Sequence, residues 1–288
     1  AVGNLRAGGT GKTPVVHDLG RRLRARGHRV AVLSRGYRAA GGGDEPQWLK
    51  EAGLEVFLDP DRHRSFDAAR AAGASVVLLD DGLQTPARAT LRLALVLERD
   101  LDRLPRPLPA GPAREGAAAL DRADAFLVRR ETHDGGTLPA HWRGKPCVGF
   151  QLRAERWIGA DDVHRPAREA APVDGAVAAV SGLARPESFE ATLAATGLEV
   201  VGCWRAPDHW APDGEEVAEI GAWAARLGAS AIVCPEKNLV RLRGADPAFP
   251  LFGLAAEIAW ETPDPLARLG IDALVHDDGG GTSVPPPA

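Results

Sequence analysis

Methionine is absent from the 288 residues, and tyrosine occurs once. Cysteine is scarce. Cys147, Cys203 and Cys234 stand far apart, odd in number and without a C-x-x-C pair. That argues against a disulfide framework or a cysteine zinc site and suits a reducing compartment. No apolar run approaches the roughly 20 residues of a spanning helix, and no signal peptide is visible. Neither sign of charge dominates. A formal net charge of −4 leaves no basic footprint, so no nucleic-acid partner is expected. The glycine loop arrives almost at residue 1, in a chain with no methionine, so further sequence is expected upstream, with room for a membrane-associating segment.

What is present is an ordinary globular composition, 44% apolar, enough for a sizeable core. In the first half, short apolar runs alternate with helix-like stretches. Residues 13–26 predict a helix stopped by Gly27, and 61–73 another stopped by Gly73. RVAVLSRG (29–36), LEVFLD (54–59), SVVLLDD (75–81), LRLALVLE (91–98) and AFLVRR (125–130) predict strands. The alternation implies an α/β fold, a mostly parallel sheet with helices on both faces, which the glycine loop narrows to the P-loop NTPase type. LPRPLPAGPAREG (104–116) should be a shaped loop. A second, smaller α/β unit follows, with strands at 176–182, 198–204 and 230–236 and helices at 186–196 and 213–227. The expected domains are 1–150 for nucleotide binding and 151–276 for the second α/β unit, with 277–288 a disordered tail by composition.

GNLRAGGTGKTP (3–14) carries the chemistry. Gly8, Gly9 and Gly11, with Thr10 among them, would let backbone N–H groups turn inward. The following helix would aim its positive end at the same point. Lys12 would supply a mobile cation for the outer phosphates of ATP, and Thr13 a hydroxyl for Mg²⁺. Arg6 stands where the strict G-x-x-x-x-G-K-[ST] pattern has its first glycine, so the loop is a variant. The partitioning ATPases use another variant, but Ala7 occupies the position of their signature lysine. The strand 75–81 ends in Asp80 and Asp81. Such carboxylates beside a phosphate loop hold Mg²⁺, although D-D-G is also a favoured turn.

With these pieces in place, the chain resembles the tetraacyldisaccharide 4′-kinases, the lipid A 4′-kinase family. The shared motifs are G-N-L-x-x-G-G-x-G-K-T-P from Gly3 to Pro14 and S-R-G-Y from Ser34 to Tyr37. G-D-E-P runs from Gly43 to Pro46, and D-D-G-L-Q from Asp80 to Gln84. L-P-A-G-P-x-R-E spans Leu108 to Glu115, and Gly182 to Phe189, Asp208-His209 and Glu236-Lys237 follow in order. Thr85 stands where the family has histidine, and Asn238 where it has aspartate.

The resemblance implies transfer of the γ-phosphate of ATP to the 4′-hydroxyl of a tetraacylated glucosamine disaccharide, forming lipid IV-A. It implies a peripheral enzyme at the cytoplasmic face of the bacterial inner membrane. It assigns Asp44 and His209 to the acceptor hydroxyl, Lys12 to the transferred phosphate, and Arg35 and Lys237 to substrate. Asp44 and His209 come from different halves, so the site is expected between the domains. On residue type alone G-G-G-D-E-P also fits a solvated turn capping the next helix, and Arg35 a surface ion pair. The basic run RRLRARGHR (21–29) fits a solvated helix face or contact with anionic lipid. Thr85 is expected to orient Asp80 and Asp81 by hydrogen bonding. A P-loop switch ATPase and a non-catalytic homologue are the alternatives.

Overall fold

The computed structural model describes residues 1–34, 44–51, 53–86, 88–131, 142, 144–159, 163–167, 172–208, 210–244 and 249–275. They form two compact units. The chain passes from the first to the second after Phe150 and returns at Trp260.

Unit 1 is built on parallel strands. In chain order come β1 (Val2–Asn4), α1 (Lys12–Ala25), β2 (Val30–Ser34), α2 (Asp44–Glu51) and β3 (Glu55–Leu58). Then follow α3 (Arg62–Ala71), β4 (Val76–Leu79), β5 (Leu93–Leu97), β6 (Ala125–Arg129) and the start of β7 (Cys147–Ile158). β2 lies between β3 and β4, and β1-β5-β6-β7 form a second parallel run. Val2 bridges Asp80, and the Gly82 N–H donates to the Val2 carbonyl at 2.9 Å. The carboxyl end of β4 therefore lies beside β1, where the glycine loop begins. β5 and β6 are buried along their whole length, as strands covered on both faces must be. α1 buries Val15, Val16, Leu19 and Leu23, one stripe at helical spacing.

The basic run at the end of α1 and just beyond it is largely engaged within unit 1. Arg22 pairs with Asp18 at 2.7 Å, Arg24 donates to the Gly53 carbonyl, and Arg29 pairs with Glu55 at 3.0 Å. Arg26 reaches Asp264 and Asp272, which flank α7 (Pro265–Arg268) and open α8 (Ile271–Val275). Residues 260–275 thus cluster with unit 1, whereas their position in the sequence suggested the second domain.

Unit 2 contains the rest of β7, paired antiparallel with β8 (His164–Pro166). Next come β9 (Val177–Gly182), α4 (Pro186–Ala194), β10 (Val200–Ala206), α5 (Gly214–Arg226), β11 (Ala231–Pro235), α6 (Glu236–Gly244) and β12 (Leu251–Trp260). β11 runs between β9 and β12, and β10 flanks β9, all parallel. The two-residue period of a strand sorts the core. Ala178, Val180, Ile232 and Cys234 pack with Val217 and Ile220 of α5. Their neighbours Val177, Ala179, Ala231 and Val233 pack with Phe189 and Leu193 of α4. Burial pushes the Cys147 thiol up to about 11 and the Cys234 thiol higher still, so neither is a nucleophile near neutral pH.

A candidate phosphate-binding active site

The turn after β1 is made by Gly8 (φ 76°), Gly9 (φ 47°) and Gly11 (φ 95°), conformations that a side chain disfavours. Arg6 does not need that freedom. Its backbone forms an antiparallel bridge with Ala113, and its guanidinium makes a two-pronged pair with Asp100 at 2.6 and 2.8 Å. The first glycine of the strict pattern is dispensable here because the chain turns later. Ala7, where a switch ATPase carries its lysine, donates its N–H to the Pro112 carbonyl at 2.9 Å. The shaped loop 104–116 thus lies against the phosphate loop, and Arg114 N–H donates to the Leu5 carbonyl at 2.7 Å.

α1 begins without a cap. Gly11 occupies the cap position and offers no side-chain acceptor, and no acidic residue stands in the first turn. The leading N–H groups of the helix are left for an external anion. Around them the side chains are fixed. Asn4 Nδ2 donates to Thr10 Oγ1 at 2.6 Å, and Lys12 Nζ donates to Asn4 Oδ1 at 3.0 Å. Gln84 Nε2 holds the Asn4 carbonyl at 2.8 Å, and Arg129 Nη1 reaches the Thr10 carbonyl at 3.3 Å. Gly3 in β1 passes so close to Leu83 that a Cβ there would strike its backbone, which brings the D-D-G-L-Q segment against the loop.

Asp81 sits in the left-handed region (φ 58°), the only such non-glycine among the described residues. Asp is one of the few side chains that tolerates this region, as the D-D-G turn requires. Lys12 Nζ lies 3.3 Å from Asp81 Oδ1, and Arg114 Nη1 contacts both oxygens at 2.7 and 2.6 Å. Burial works to raise the Asp81 pKa, but the Lys12 and Arg114 charges outweigh it and hold the carboxyl below the usual range. Asp80 is 7% exposed, and Arg62 Nη2 donates to its backbone carbonyl at 3.1 Å. Thr10 and Thr13 are buried.

Of the residues singled out in the sequence, Gly8, Gly9, Thr10, Gly11, Lys12, Thr13, Asp80 and Asp81 are gathered at this one place. Asp44 opens α2, and its side chain lies outside the described residues, as do Arg35 and His209 altogether. Lys237, in unit 2, lies 3.4 Å from Asp208. Thr85 is buried but makes no hydrogen bond to Asp80 or Asp81 among the described residues, contrary to expectation. Asn238 accepts the Gly182 N–H at 3.1 Å through Oδ1, a contact that either Asn or Asp can make. Sequence reasoning missed Asn4, Gln84 and Arg114, although all three lie inside the quoted motifs. Arg129 carried no signal, because an arginine ending a buried strand looks like any surface cation.

The family model of the tetraacyldisaccharide-1-P 4′-kinases matches residues 1–276. The chain belongs to this family. A tetraacyldisaccharide 4′-kinase of Rhodospirillum centenum is 37% identical, the match covering 97% of this chain and 84% of that protein. One from Acidithiobacillus ferrooxidans is also 37% identical, over 82% of this chain and 75% of its own length. Among solved structures, LpxK from Aquifex aeolicus in complex with ATP is similar with a TM-score of 0.68 and 26% identity, covering 94% of this chain and 86% of that one. The family's P-loop NTPase-like architecture accounts for the parallel sheet of unit 1 and the loop between β1 and α1.

Proposed function

We propose that the protein is the kinase of its family. It takes the γ-phosphate of ATP and transfers it to the 4′-hydroxyl of a tetraacylated glucosamine disaccharide 1-phosphate, forming lipid IV-A in lipid A biosynthesis. The observation that carries this reading is the uncapped start of α1, with Lys12 and the ionised Asp81 held 3.3 Å apart beside it.

In this reading the loop from Gly8 to Thr13 binds the phosphates through backbone N–H groups, and Lys12 neutralises charge that develops on the transferred group. The donor set at the loop fits a magnesium ion: the Thr13 hydroxyl and the Asp80 and Asp81 carboxylates are hard oxygens, and Asp81 stays charged at neutral pH. Mg²⁺, when bound there, supplies neutralisation of the phosphate oxygens. Asn4 orients Lys12, and Arg114 keeps Asp81 ionised. Asp44 takes the proton of the attacking hydroxyl, supported by His209, and Arg35 and Lys237 contact the substrate. These four roles rest on the family resemblance.

Among the described residues no helix is long and apolar enough to cross a membrane. Peripheral contact with the cytoplasmic face of the inner membrane gives access to a lipid acceptor. The test is ADP release in mixed micelles. It should depend on the lipid acceptor and be lost in Lys12→Ala. Release that ignores the acceptor would mean a switch ATPase instead.

A further inference from the structure

The family motif leaves the residue after Gly3-Asn4-Leu5 open, and here it is Arg6. We infer that Arg6 and Asp100 are a positioning pair for the nucleotide, replacing with an ion pair what the strict loop obtains from its first glycine. The inference rests on the ATP-binding reading above.

Arg6 is the last residue before the turn. Its backbone bridges Ala113, and the next N–H, from Ala7, is held by Pro112. Its side chain points the other way, to Asp100, at the end of the short 3-10 turn Glu98–Asp100 that follows β5. Both prongs are short, 2.6 and 2.8 Å, and the Asp100 side chain is only 8% exposed. Hydrogen bonding to Asp100 raises the Arg6 pKa above its ordinary value. A two-pronged guanidinium–carboxylate contact fixes direction as well as distance. Arg6, Asp100 and Thr10 line one small cavity with Leu5 and Leu104. Thr10 is the loop residue that Asn4 and Arg129 hold. The pair therefore clamps the entry of the loop to β5, the strand directly beside β1.

The alternative is that the pair merely stabilises unit 1. Restoring the strict pattern separates the two. Arg6→Gly recreates G-x-x-x-x-G-K-T, so a loop that only wants glycine there should bind ATP as well as before or better. The clamp predicts weaker binding, roughly tenfold, by calorimetry with ATP and Mg²⁺ and no lipid. Arg6 and Asp100 should act as a unit, so Arg6→Gly with Asp100→Ala should bind ATP little worse than Arg6→Gly alone. Arg6→Lys, which keeps the charge but loses the fork, should fall between the parent and Arg6→Gly. Melting with and without ATP gives the second readout: the ATP-induced rise in Tm should shrink in the variants. Unchanged ATP affinity in Arg6→Gly, or a lower Tm with an undiminished ATP-induced rise, would overturn the inference. If Arg6→Gly does not fold, Arg6→Lys decides, and parental affinity in it overturns the clamp. Because no acceptor is present, a parent protein that binds ATP but transfers no phosphate would sink the kinase reading and leave this test intact.

Discussion

Two helices begin in opposite ways. In unit 2, α5 starts behind Asp213, whose side chain accepts from the Glu216 N–H at 2.9 Å, with Glu215 and Glu216 in the first turn. Every device that satisfies a helix start and its positive dipole end is supplied by the chain itself. In unit 1, α1 starts behind Gly11 with no side-chain acceptor and no acidic residue in its first turn, and a lysine is its first residue. A helix meant only to be stable is built like α5. In the proposed reading, the start of α1 gives up that stabilisation to leave its N–H groups to the phosphates of ATP.

The comparison sharpens at a third helix. Asp44 opens α2, where it could serve as a cap or as the base at the acceptor hydroxyl. If it is the base, Asp44→Ala should lower kcat by roughly 10²–10⁴ with little change in ATP affinity. His209→Ala should do the same, and the double variant should be little worse than the poorer single one, because groups acting as a unit are non-additive. Multiplicative losses, with a raised Mg²⁺ requirement in Asp44→Ala, would instead place Asp44 on the metal. If Asp44 is only a cap, it should behave like Asp213.

Lys12→Ala should lower kcat by roughly 10²–10³ while lowering the melting temperature less than Asp213→Ala does, because Arg114 still holds Asp81. Asp213→Ala should do the reverse, costing about 1 kcal/mol of stability with no effect on turnover. Thermal melts and steady-state kinetics on the two variants give both halves, and a stability loss in Lys12→Ala matching that of Asp213→Ala would erase the distinction between the helices.

The smallest effect concerns acid. The folded pKa of Asp81 lies below the usual carboxylate range, so its pairing with Lys12 and Arg114 stabilises the fold above that range. The contribution is lost as pH falls through the folded pKa. Asp81→Asn should therefore flatten the acid limb of a stability-against-pH curve, read by denaturant titrations from neutral to acid. An unchanged acid limb would show that the ion pairs contribute nothing.

Much of this was legible in the sequence. The strands β2, β4, β5 and β6 are apolar runs that cannot be placed anywhere but inside, and Gly27 and Gly73 end their helices as glycines do. The glycines and Lys12 declare the loop by spacing. β12 was not read, because LFGLAAEIAW mixes alanine and glutamate with its apolar residues and lacks the β-branched alternation of a strand. Its parallel pairing with β11, across α6, decides it. The role of Arg6 was hidden for a related reason. A missing glycine reads as a defect until Asp100, 94 residues away, is seen to hold the arginine. Asn4 and Arg114 were visible as letters of a motif but not as contacts, since their partners are fixed by the crossing of β1, β4 and the loop 104–116.

The most direct test of the kinase reading is to map the product. The protein is incubated with ATP, Mg²⁺ and tetraacyldisaccharide 1-phosphate in mixed micelles, and the lipid is analysed by mass and by phosphorus NMR. One added phosphate on the 4′ oxygen, matched mole for mole by ADP, is the predicted result. ADP formed at the same rate with and without the lipid, and no phosphate on the disaccharide, would contradict it.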